Sequence, residues 1–136
     1  MLPKSDPFRS DIMRAVKSKD TTPEMVVRRL IHGMGYRYRL HGKDLPGKPD
    51  LVFAGRRKVI FVNGCFWHGH NCKRGARQPK ANGDYWKAKI ARNVHRDAGN
   101  IVALVRAGWR VVTIWECETK VADRPALAAK LREFLD

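Results

Sequence analysis

Lys58-Val59-Ile60-Phe61-Val62-Asn63-Gly64-Cys65-Phe66-Trp67-His68-Gly69-His70-Asn71-Cys72 is the stretch that decides the fold. Lys58 to Val62 is a short run of β-branched and aromatic residues, the pattern of a central strand buried on both faces. The second half cannot continue that strand. Gly64 and Gly69 interrupt it, and two cysteines, two histidines and two adjacent aromatics crowd into one loop. Phe66 and Trp67 cannot both turn inward on so short a turn. Cys65-x4-His70-x-Cys72 has the residue types and spacing of a metal-binding loop.

The flanks supply a sheet around this strand. Upstream, Pro49 to Phe53 reads as a strand, with Pro49 allowed only at its beginning. Ala54 to Arg57 is a tight turn containing Gly55, and His41 to Lys48 is a loop. Tyr36 to Leu40 alternates, as a half-exposed strand does. Before it, Thr21-Thr22-Pro23-Glu24 is a capping box with proline in the first turn. Val26, Val27, Leu30, Ile31 and Met34 then repeat at helical spacing up to Gly35. Ser10 to Ser18 has the makings of a short helix capped by Ser10, and residues 1–9 read as a flexible arm. Downstream, Lys73 to Gly83 reads as a polar loop, and Asp84 to Arg106 as a long helix. Its apolar stripe is Trp86, Ile90, Val94, Ile101, Leu104 and Val105. Trp109 to Glu116 is a fourth strand, and a last helix runs from about Pro125 to Phe134. The order is α-β-β-β-α-β, then a helix. A meander feeding a crossover into a further strand makes an α/β fold with a mixed central sheet flanked by helices. One domain over residues 1–136 is expected.

Of the 136 residues, 43% are hydrophobic, enough for one modest core. Lys and Arg number 28 against 13 acidic residues, a formal charge of +15. That imbalance points to a polyanionic partner, because each neutralised phosphate releases a condensed counterion. No segment resembles a signal peptide or a transmembrane helix, so a cytoplasmic, nucleoid-associated protein is expected, with no membrane partner. An odd set of cysteines, Cys65, Cys72 and Cys117, suits metal binding in a reducing compartment better than disulfides.

Two sets of candidate residues follow. Cys117, at the end of the fourth strand, can complete a Cys3His set with Cys65, His70 and Cys72, which suits structural zinc. The bland reading is three buried thiols and an incidental histidine. Asp50, at the front of a strand, is a natural ligand for Mg²⁺, or simply a turn aspartate. His68 is left over once His70 is a ligand, and an imidazole can take a proton from water at physiological pH. Glu24 could hold that water or a second metal, although its capping role explains it equally well. Together these suggest phosphodiester hydrolysis. On a basic chain, Phe66, Trp67 and Trp86 could stack on bases or wedge into a duplex, and Trp86 could simply pack its helix. His32, His41 and His95 show no partner by spacing. A zinc-stabilised restriction-type nuclease with another substrate, and a non-catalytic zinc-containing DNA-binding module, fit the same features. A zinc deaminase does not, since no His-x-Glu precedes a Cys-x-x-Cys.

Thr-Thr-Pro-Glu from Thr21, Leu-Pro-Gly-Lys-Pro-Asp from Leu45, Val-Ile-Phe-Val-Asn-Gly-Cys-Phe-Trp-His-Gly-His-Asn-Cys from Val59, and Trp-Glu-Cys from Trp115 stand in one order along the chain. This pattern resembles the very short patch repair (Vsr) DNA mismatch endonucleases. The resemblance implies a restriction-endonuclease-like core and a nick 5′ to the thymine of a T:G mismatch, the product of 5-methylcytosine deamination. It implies double-stranded DNA as substrate, mismatch-repair proteins as partners, and a monomer. It implies Mg²⁺ on Asp50 and the Val62 carbonyl, His68 as general base and Glu24 assisting. Structural zinc would sit on Cys65, His70, Cys72 and Cys117. Phe66, Trp67 and Trp86 would wedge from the major groove, and Met13 would approach from the minor groove. Lys89 and Asn93 match positions near the mismatched pair. Well-known members carry Thr-His where this chain has Val62-Asn63. The carbonyl ligand survives that change, and Asn63 can still donate a hydrogen bond to a phosphate or leaving group.

Overall fold

The computed structural model describes residues 20–72 and 83–136. The arm, the Ser10–Ser18 helix with Met13, and the loop from Lys73 to 82 lie outside the described residues; Gly83 opens a helix.

Helix α1 spans Thr22–Gly33. Thr21 caps it, its Oγ1 accepting from the Glu24 amide at 3.3 Å. The reciprocal half of the expected box is shifted by one residue: Glu24 Oε1 accepts from the Asp20 amide at 3.1 Å, not from Thr21. Gly35 then takes φ +88, the left-handed conformation that glycine adopts without a Cβ clash. Strands β1 (Arg39–Leu40), β2 (Leu51–Phe53), β3 (Lys58–Asn63) and β4 (Arg110–Trp115) form one sheet in the order β1-β2-β3-β4. The first two pairings are antiparallel and β3–β4 is parallel, the mixed sheet expected from the meander and crossover. Strand β1 is shorter than the alternation from Tyr36 predicts. Its partner β2 ends at Phe53 in a 3-10 turn over Ala54–Arg56, so Tyr38 packs its ring on Phe53 at 5.9 Å instead of extending the ladder. Helix α2 (Gly83–Arg106) forms the crossover from β3 to β4, and α3 (Arg124–Leu135) closes the chain.

Register places Leu51, Ile60 and Val112 side by side on one face, and Val52, Val59 and Val111 on the other. The first face joins Val27 and Ile31 of α1 and Leu127, Leu131 and Leu135 of α3 in the main core. The second face packs on α2 through Leu104, with Trp109, Phe61 and Leu45 around it. Strand β3 is therefore covered on both sides, which is why it reads as an unbroken apolar run. The stripe on α2 is narrower than expected, since Val94 and Val105 are 45% and 56% exposed. None of the described helices is long and apolar enough to cross a membrane.

Candidate active site

Both candidate centres stand where β3 ends. Asp50 directly precedes β2 and is buried. Its Oδ2 accepts the Val62 amide of β3 at 2.7 Å. Glu24, 1% exposed, reaches the same place from α1. Burial pushes the Asp50 carboxyl from its ordinary 3.8 up to about 7; the Val62 amide opposes this, and the charge of Glu24 and a carboxyl–carboxyl hydrogen bond add to it. Two carboxylates held together out of water repel one another, and either a shared proton or a bound cation would relieve them. The contact that Val62 makes with Asp50 is through its amide rather than its carbonyl.

The loop after β3 folds back on itself. The His68 amide donates to the Gly64 carbonyl at 3.2 Å, so His68 returns to the strand end that carries the Val62–Asp50 contact. Its ring Nδ1 lies 2.5 Å from Asp97 Oδ2 on α2. An ionised carboxylate only accepts, so Nδ1 carries the proton and Nε2 is the basic atom. The loop reaches α2 at Gly69, with φ +63; a Cβ there would meet Val94 Cγ2 at 2.8 Å and Ile90 Cγ2 at 3.0 Å. Only glycine allows this approach.

Cys65, His70, Cys72 and Cys117 converge, their ligand atoms all within 4.8 Å of one another. Cys117 comes from the 3-10 turn Glu116–Thr119 after β4, and the parallel pairing of β3 and β4 brings both strand ends to the same edge. Cys117 Sγ is 3.6 Å from His70 Nδ1. A tetrahedral metal with ordinary sulfur and nitrogen bond lengths would set that separation at about 3.5 Å. Burial pushes the Cys65 thiol up to about 12 and raises the Cys117 thiol too, so a bound cation would have to supply the charge that ionises them. The Cys65 amide donates to Glu116 Oε1 and the Cys117 amide to Cys65 Sγ, both at 3.3 Å. Trp115 stacks on the His70 ring at 4.1 Å and 14°, and meets the His68 ring edge-on at 6.5 Å.

The aromatic residues form a third group. Phe66, Trp67 and Trp86 lie 5.1 to 5.9 Å apart in edge-to-face contacts, and Tyr85 adds a fourth ring against Trp86. None of them belongs to the buried core. Asn93 Nδ2 donates to the Trp67 carbonyl at 2.9 Å, and the Lys89 ammonium lies 5.7 Å from the Trp67 ring centre. In this structure both residues therefore brace Trp67.

Asp97, Trp115, Glu116, Tyr85 and His41 all touch the site: Trp115 and Glu116 stand in the Trp-Glu-Cys motif without an assigned role, His41 shows no partner by spacing, and Asp97 and Tyr85 stand in none of the motifs. Asp97 had a readable signal. It follows Trp86, Ile90 and Asn93 at helical spacing, the face that α2 turns to the loop. The other four contacts are tertiary and leave no local pattern.

A mixed sheet flanked by helices, with paired carboxylates and an Asp-backed histidine at one strand end, is a restriction-endonuclease-like arrangement. The same fold occurs in the catalytic domain of the homing endonuclease I-Bth0305I, with a TM-score of 0.59 and 23% identity over 85% of this chain and 94% of that one. The family model for "DNA mismatch endonuclease Vsr" matches residues 4–74. The chain is 53% identical over 128 residues to the "Type II nicking enzyme V.XorIIP" of Xanthomonas oryzae pv. oryzae, covering 94% of this chain and 92% of that protein. It is 38% identical over 130 residues to the "DNA mismatch endonuclease Vsr" of Escherichia coli K12, covering 93% and 83%. The chain belongs to the Vsr family of DNA mismatch endonucleases. It is a DNA endonuclease.

Proposed function

We propose that this enzyme nicks one strand of double-stranded DNA 5′ to the thymine of a T:G mismatch, in a reaction that needs Mg²⁺. The observation that carries the reading is the pair of His68 and Asp97 of α2, 2.5 Å apart, with His68 on the loop that leaves β3 just past the Val62 amide that Asp50 accepts. Asp97 fixes the tautomer of His68, so Nε2 takes a proton from water as that water attacks phosphorus. Asp50 and Glu24 would hold the cation, with the Val62 carbonyl as a further ligand. When bound, Mg²⁺ would polarise the phosphate and stabilise charge on the leaving oxygen. Asn63, next to Val62 at the end of β3, donates a hydrogen bond to the phosphate or the leaving oxygen. Cys65, His70, Cys72 and Cys117 hold structural zinc, which fixes the loop that carries His68. Phe66, Trp67 and Trp86 enter the duplex from the major groove, with Lys89 and Asn93 beside the mismatched pair. Met13 approaches from the minor groove. The charge of +15 supports tight, salt-sensitive binding to the duplex.

The test is a nicking assay on matched T:A and mismatched T:G duplexes, with and without Mg²⁺, for wild type and His68→Ala. The expected product is a single nick on the thymine strand of the mismatched duplex, lost in His68→Ala. Equal cleavage of T:A would leave a restriction-type nuclease. Mismatch binding with no magnesium-dependent cleavage would leave a DNA-binding module.

A further inference from the structure

His41 shows no partner by spacing, yet it touches both members of the carboxylate pair's framework. Its backbone is left-handed, φ +52, a conformation uncommon for non-glycine residues and one that redirects the chain after β1. Its amide donates to the Asp50 carbonyl at 2.8 Å, and the next residue repeats the pairing, Gly42 amide to Pro49 carbonyl at 2.9 Å. From that turn the ring reaches back across the strand end, and Nε2 lies 3.0 Å from Glu24 Oε2.

The two oxygens of Glu24 have different duties. Oε1 accepts the Asp20 amide at 3.1 Å and completes the start of α1. That bond alone would satisfy a cap. Oε2 instead meets a residue 17 positions away, together with a longer contact of 3.4 Å from Arg28. Capping does not require this second bond. It sets the plane of a carboxylate that lies beside Asp50.

We propose that His41 is a positioning residue for the metal site, its main chain holding the Asp50 residue and its ring holding Glu24, so that both carboxylates converge on one cation. This rests on the magnesium reading above. The ligand atoms of Asp20, Glu24 and His41 also lie within 4.8 Å of one another. However, the Arg28 guanidinium already sits among them, 2.8 Å from Asp20 Oδ1, so the group acts as a hydrogen-bonded brace rather than a separate cation site.

The experiment is Mn²⁺ binding to the zinc-loaded full chain, read by the loss of the free-ion EPR signal. The variants are His41→Ala, His41→Gln, Glu24→Gln and the double variant His41→Ala with Glu24→Gln. His41→Ala should weaken Mn²⁺ binding about tenfold or more, while binding of a T:G duplex without divalent cation stays at the wild-type level. His41→Gln, whose amide N–H can replace Nε2–H, should recover most of the loss. The double variant should bind as Glu24→Gln does, because the brace has nothing left to hold. Unchanged binding in His41→Ala, a His41→Gln variant as weak as His41→Ala, or multiplied losses in the double variant would each overturn the proposal. Loss of one of two Mn²⁺ ions per chain would replace it with a second cation site. Asp50→Ala separates the two levels of the argument. If it retains full Mn²⁺ affinity, the cation is not at Asp50 and the magnesium reading falls first.

Discussion

Replacing Asp50 with asparagine should abolish nicking and, without magnesium, make the protein more stable. Asp50 is buried and its carboxyl titrates at about 7 against an ordinary 3.8. Between those values the folded chain holds a proton that the unfolded chain has released. The stability from this group is thus fully present below pH 3.8 and is lost as pH rises through about 7. Above that, the whole rise corresponds to about 4 kcal/mol, and water penetration should reduce it to roughly 2–4 kcal/mol. Asparagine carries no such penalty. Its Oδ1 can still accept the Val62 amide, which the native Oδ2 accepts at 2.7 Å, and its N–H group faces Glu24 with a donor where a repelling charge stood. The assay is urea unfolding from about pH 4 to pH 8, in chelator-free buffer that retains zinc and excludes magnesium. The variant's advantage should grow from near zero in acid to its full value at high pH, and saturating Mg²⁺ should narrow it by stabilising only the wild type. Parallel stability curves for the two proteins would mean that Asp50 carries no buried, destabilised charge.

Asp97→Asn should lower the single-turnover nicking rate by roughly a hundredfold or more while leaving mismatch binding intact; an unchanged rate would remove Asp97 from the catalytic pair. Cys117→Ser should reduce bound zinc below about one per chain and lower the thermal midpoint; unchanged zinc content would take Cys117 out of the ligand set. Gly69→Ala places a methyl 2.8 Å from Val94 Cγ2 at φ +63, and should cost about 1–3 kcal/mol of stability. Adding Val94→Ala should relieve the steric part of that loss, and no relief would mean that the backbone conformation accounts for all of it.

The sheet was legible because its residues carry local signals. Val59, Ile60 and Phe61 form an apolar run that only a doubly covered strand needs, and Thr21, Pro23 and Gly35 mark the ends of α1 by their own backbone chemistry. The convergence of Cys65, His70, Cys72 and Cys117 was legible because thiols and an imidazole at short spacing have few uses other than binding a metal. What stayed hidden was the support around each functional group. Glu24 looked like half of a local capping box, yet one of its oxygens serves His41, 17 residues away. Asp97 shares a helix face with Trp86, Ile90 and Asn93, but that spacing marks only the face and not the loop histidine that folds onto it. Val94 and Val105 were assigned to the buried stripe because periodicity identifies a face, not how far the sheet extends beneath it.

The loop that carries His68 belongs to no helix or strand between Asn63 and Cys72; its own turn bonds, such as His70 amide to Cys65 carbonyl at 2.9 Å, shape it, and contacts from neighbouring elements anchor it. The 3-10 turn after β4 holds the loop's first turn through crossed bonds, Cys65 amide to Glu116 and Cys117 amide to Cys65 sulfur. Helix α2 holds its middle through Asn93 on the Trp67 carbonyl and Asp97 on the His68 ring. On the proposed reading, Cys65, His70, Cys72 and Cys117 would serve catalysis without touching substrate: a metal on them would join the strand ends to the loop, and the helix would then orient His68. Without a metal, the loop would keep its local turn bonds but be tied to its neighbours by few hydrogen bonds, and such a segment opens more readily than the sheet. Removal of zinc should therefore mobilise His68 before it unfolds the sheet, and the nicking rate should fall at chelator exposures that leave the β-sheet circular dichroism unchanged. If activity and sheet structure were instead lost together, the metal would be holding the whole core rather than the catalytic loop.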